Sequence, residues 1–107
     1  MNNHFNIFWK DTEVGRIENV ISDMWYIDGK WVSNGSKLSE NFENLIITFD
    51  PKIIFQNPAQ GTRVVLKVSD KDLQTYALVL GLINKNLSLK LIVQNESIQW
   101  LIKNVKE

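Results

Sequence analysis

The stretch Trp25-Tyr26-Ile27-Asp28-Gly29-Lys30-Trp31-Val32 carries the reading on which the fold depends. Its flanks are β-branched and aromatic. Asp-Gly between such flanks is the signature of a type I′ turn, whose two central residues need positive φ. The spacing predicts a hairpin turning at Asp28-Gly29, with Ile27 opposite Lys30, Tyr26 opposite Trp31 and Trp25 opposite Val32. Tyr26 and Trp31 would then form a cross-strand aromatic pair.

Toward the N-terminus, Phe5, Ile7 and Trp9 recur at strand period, and the polar run Lys10 to Glu13 separates them from Val14-Gly15-Arg16-Ile17. This is a second hairpin, with Gly15 at a bulge or a close backbone approach. Beyond Ser33-Asn34-Gly35-Ser36 the period changes. Phe42, Leu45, Ile46 and Phe49 fall at i, i+3, i+4 and i+7, the stripe of an amphipathic helix. The helix is expected from about 39 to 49, capped by Ser39, with Glu40 and Glu43 in its first turns and Asp50-Pro51 as its stop.

The rest alternates as strands: Val64, Leu66 and Val68; Leu87, Leu89, Leu91 and Val93; Ile98, Trp100 and Ile102. The run Tyr76 to Ile83 is apolar at every position but Gly81, which predicts a strand covered on both faces. Asn84-Lys85-Asn86 turns the chain before Leu87. Connections this short favour antiparallel neighbours. The expected architecture is α+β: a mostly antiparallel, strongly curved β-sheet of about seven strands, with one helix after the third strand. A small, partly open barrel closed by the helix would bury the same pattern.

Composition bounds the rest. A chain of 107 residues is expected to form a single domain over 1–107 with one modest core. Twelve Lys+Arg balance twelve Asp+Glu, and zero net charge argues against nucleic acid and anionic membranes as partners. With no Cys there is no disulfide, thiol nucleophile or thiolate metal site. The opening Met1-Asn2-Asn3-His4 shows no basic and apolar signal pattern, so a cytoplasmic location is expected.

Catalytic and cofactor chemistry finds little purchase. His4 is the one histidine, and no second group in the sequence is placed to orient it as a base. The five glycines are isolated, and no phosphate-cradling motif is formed. Asp28 is accounted for by its turn, and Glu40 and Glu43 by a helix start. Asp23 would cap a turn before the hairpin. No enzyme activity, cofactor or metal is expected.

Two features remain. Four Trp is a high count, and Trp25, Tyr26 and Trp31 crowd one tight turn whose two faces cannot both enter one core. Core packing accounts for some of these rings and an interface for the rest, since interfaces enrich Trp and Tyr. Trp9 and Trp100 fit core positions. Charge is also uneven: residues 1–50 hold eight carboxylates against four cations, and residues 51–107 hold the reverse. An acidic side able to attract a basic protein is the reading with functional content.

The run Val14-Gly15-Arg16-Ile17, Asp23-Met24-Trp25, Asp28-Gly29-Lys30-Trp31 and Phe42 resembles a pattern in small uncharacterised bacterial proteins. The likeness covers about the first 45 residues, by the measure of motif matching. In style the chain is similar to toxin-immunity proteins: small, without cysteine and without a catalytic constellation. That resemblance implies a protein partner, such as a basic toxin domain, whose site is occluded. The candidate contact residues are Asp23, Trp25, Tyr26, Asp28, Trp31, Glu40 and Glu43. The alternatives are a curved sheet or barrel that binds a small molecule or lipid, and a structural or assembly subunit forming homo-oligomers.

Overall fold

The computed structural model describes residues 4–23, 26–67 and 74–91. Among the described residues six strands are formed: β1 (His4–Trp9), β2 (Thr12–Asp23), β3 (Tyr26–Ser33), β4 (Arg63–Lys67), β5 (Gln74–Ile83) and β6 (Asn86–Leu91). Between β3 and β4 lie α1 (Lys37–Ile46), the short α2 (Pro51–Gln56) and a 3₁₀ turn at Pro58–Gln60. The strands close into an antiparallel barrel in the order β1-β2-β3-β6-β5-β4. Closure is made where Ile7 pairs with Leu66 on β4, and where Ile27 pairs with Leu89 on β6.

This corrects the expectation of an open, strongly curved sheet of about seven strands. The physical reason is the misread turn. Asp28 and Gly29 lie inside β3, paired with Ser88 and Leu87 of β6, so the two strands expected on either side of them are one. The reversal from β2 to β3 falls between Asp23 and Tyr26, which pair directly. Tyr26 and Trp31 therefore occupy one strand and point to opposite faces. Left-handed two-residue turns do occur, at Lys10-Asp11 (φ 53° and 62°) and Asn84-Lys85 (φ 52° and 66°).

Gly29 is required by close packing instead: a Cβ there would lie 2.7 Å from both the Glu18 carbonyl oxygen and Ile17 Cγ1. Gly15 matches its expected role. The β1–β2 register slips beside it, from Ile7↔Gly15 to Phe8↔Glu13, and a Cβ would come within 2.3 Å of the Val32 carbonyl oxygen.

The helix is also displaced. Ser36, not Ser39, is its cap and accepts from the Ser39 amide at 3.1 Å. Ser39 is buried within the first turn, its hydroxyl 2.6 Å from that of Ser33. α1 ends at Ile46, three residues short of the expected end, and Pro51 opens α2. A proline in the first turn gives up no helical hydrogen bond, and Asp50 caps this start by accepting from the Lys52 amide at 2.9 Å.

Phe42 and Ile46 of α1 join the barrel core as its plug at one end. The Phe42 ring sits between Trp9 and Trp31, at 5.3 Å and 5.4 Å between centroids. Ile7, Ile17, Ile27, Leu66, Val79 and Leu89 fill the lumen between the strands, each at most 1% exposed. On the outside, Leu78 and Leu80 of β5 are covered by Ile54 of α2, so Ala77 to Gly81 are buried on both faces as expected, whereas Tyr76 and Ile83 at the ends of the run are exposed. Trp9 is buried and Val64 and Leu66 point inward as expected, whereas Val68, Val93, Ile98, Trp100 and Ile102 fall outside the described residues.

Candidate functional site

Alternation along β3 sorts the candidate residues. Ile27, Gly29 and Trp31 face the lumen; Tyr26, Asp28 and Lys30 face out. Trp31 is 5% exposed, a core residue whose indole Nε1 donates to the Glu43 carboxylate of α1 at 2.5 Å. Glu43 is thereby turned toward the barrel. Glu40, on the exposed side of α1, pairs with Lys37 at 3.6 Å. Trp25 falls outside the described residues.

Asp23, Tyr26 and Asp28 are brought together on the outer face. Asp23 pairs with Tyr26 across β2 and β3, and Ile21, 71% exposed, pairs with Asp28. Across the other edge, Asp28 accepts from the Ser88 hydroxyl at 2.5 Å and from the Asn86 amide at 3.4 Å. The Tyr26 ring stacks on Phe55 of α2 at 6.4 Å, and Lys90 lies 4.9 Å above Phe55. Phe55, half exposed, belongs to this surface and was missed by the sequence reading. Its isolated place in a six-residue helix gave no signal.

Above Asp28 and Lys30 the wall opens into a shallow depression of about 390 Å³. It is bounded by Asn19 and Ile21 on one side and by Asn84, Lys85 and Asn86 on the other. Asn19 is left-handed (φ 52°), at the irregularity where the β2–β3 pairing slips between Glu18 and Ile21. The depression is a feature of the outer wall, separate from the filled lumen.

Charge is divided around the barrel because the chain closes as two meanders. β1, β2 and β3 are neighbours, followed round the ring by β6, β5 and β4. Residues 4–50 therefore line one side with α1, carrying eight carboxylates and four cations among the described residues. Described residues 51–67 and 74–91 line the other with five cations, Lys52, Arg63, Lys67, Lys85 and Lys90, and no carboxylate. Among the described residues, the neutral composition resolves into an acidic and a basic set that meet at the β3–β6 seam.

Among the described residues, no group of three or more His, Asp or Glu is placed to hold a metal ion, and no helix is long and apolar enough to cross a membrane. No protein family, curated protein or solved structure matches the chain.

Proposed function

We propose that the chain is a non-enzymatic protein-binding domain of the toxin-immunity kind, which occludes a basic partner with its acidic side. The observation that carries this reading is the gathering of Asp23, Tyr26 and Asp28 with Ile21 on the outer surface of that side, where Phe55 of α2 meets Tyr26 from across the β3–β6 seam. Aromatic and branched side chains at the centre of a charged surround are the usual composition of an energetic contact. The carboxylates steer a cationic partner, speeding encounter more than they tighten the final complex. The preformed barrel wall pays little ordering entropy on binding.

Side-chain filling of the lumen favours this outer-surface reading over a barrel that encloses a small molecule or lipid, which needs a cavity of roughly 300 Å³ or more. Within the proposed contact, Asp23, Tyr26, Asp28 and Glu40 meet the partner. Trp31 and Glu43 support it from beneath by fixing α1 against β3.

The test is growth rescue on co-expression with toxic domains encoded beside the chain. Rescue is expected, and the paired reversals Asp23→Lys and Asp28→Lys abolish it while leaving the circular dichroism spectrum unchanged. Failure to rescue from any of those products overturns the proposal.

A further inference from the structure

The other side of the barrel carries a different surface. Phe8 of β1, Val65 of β4 and Tyr76 of β5 are register partners, so they form one continuous row across the outer face. Tyr76 is 44% exposed, and Phe8 and Val65 are partly exposed. Two strand spacings place the rings about 9.5 Å apart. Arg63 and Lys67 stand two residues to either side of Val65 on β4 and share its outward face. The Lys67 ammonium lies 4.2 Å from the Phe8 ring centroid. Asn6 and Gln74 complete the row through Lys67. Among the described residues, the carboxylate that meets this row is Glu13 of β2, which faces Phe8.

We propose that this face of β1, β4 and β5 binds single-stranded nucleic acid. Bases stack on Tyr76 and Phe8, and Arg63 and Lys67 take the flanking phosphates. Stacking on Phe8 moves the Lys67 ammonium from the ring to a phosphate. The two cations of this face, Arg63 and Lys67, fit a polyanion. Two rings in a row one residue deep fit unpaired bases better than a protein, whose interface core needs a broader apolar centre. The argument from zero net charge concerns the whole chain and does not bear on one side of it. This face lies away from the Asp23–Tyr26–Asp28 surface, so the two proposals stand or fall separately.

Fluorescence anisotropy with a labelled oligothymidylate, measured from roughly 50 to 200 mM salt, reads the affinity and its salt dependence. Two phosphate contacts give a log–log slope of about −1.4 for a single strand. Tyr76→Ala is expected to weaken binding roughly tenfold, whereas Tyr76→Phe keeps it. Lys67→Glu weakens binding and flattens the salt slope; Lys37→Glu, on α1, leaves both unchanged. The proposal is overturned by no saturable binding at the lowest salt, by equal binding of the duplex form, or by Tyr76→Ala binding as the wild type does. It is equally overturned if polyglutamate or phosphatidylglycerol vesicles compete as well as unlabelled oligonucleotide, since plain charge attraction or a membrane would then account for the face.

Discussion

The indole of Trp31 on β3 donates to the carboxylate of Glu43 on α1 at 2.5 Å, in a partly buried setting. This bond fastens the helical plug to the wall, directly beside the Trp9–Phe42–Trp31 ring cluster.

Glu43→Ala removes a charged acceptor and leaves the indole N–H without its partner, costing about 1.5–3 kcal/mol. Glu43→Gln keeps an acceptor and loses less. Urea titration checks this through a lower midpoint at unchanged slope. Phe42→Ala, which opens a void between two indoles, is expected to cost more, about 3–5 kcal/mol.

Two glycines separate steric from conformational cost. Gly29→Ala drives a Cβ into the Glu18 carbonyl oxygen and Ile17, both at 2.7 Å. It is expected to destabilise by roughly 3 kcal/mol, since backbone must shift. Gly35 has φ 80° and no neighbour within 4 Å of an added Cβ, so Gly35→Ala pays only for left-handed backbone, about 1 kcal/mol. Gly35→Asn should recover part of that. Thermal unfolding of the three variants gives the order directly.

The true location of the left-handed turns yields a gain. Lys85 holds φ 66° in the β5–β6 turn, and Lys85→Gly relieves that at a position where glycine is favoured. About 0.5–1 kcal/mol of stabilisation is expected, raising the melting temperature by a few degrees. Replacement of Asp28-Gly29 by Asn-Gly, which would strengthen a turn, instead weakens the Ser88 contact by substituting a neutral acceptor and lowers stability.

Local period was legible in the sequence; closure was not. The alternation of Phe5, Ile7 and Trp9 and the two-faced burial of Ala77 to Gly81 in β5 carried over directly, because each reflects side chains of one strand, while Tyr76 and Ile83 at the ends of that run stay exposed. Asp28-Gly29 misled for a physical reason. Glycine there answers to the approach of Ile17 and Glu18, a tertiary constraint that imitates turn chemistry. Two strands counted in place of one also hid the pairing of β3 with β6, and so the ring. Ser36 outcompeted Ser39 as cap because Ser39 is drawn into the buried contact with Ser33. Of the candidate site, Asp23, Tyr26 and Asp28 assembled because β3 alternates and pairs with β2. The bond between Trp31 and Glu43 joins residues on different elements, which spacing alone does not reveal.

The ring order has a consequence for how the molecule comes to exist. β1 must find β4, and β3 must find β6, across the whole helical connection. Neither meander can hide its outer strands alone: the first leaves β1 and β3 with open edges, and the second leaves β4 and β6 so. During synthesis, β1, β2 and β3 emerge well before their partners, and loop closure over that separation is slow. The half-made chain is therefore at its most adhesive while the ribosome is still adding β4, β5 and β6, and the seam closes only after Leu91 has left the tunnel.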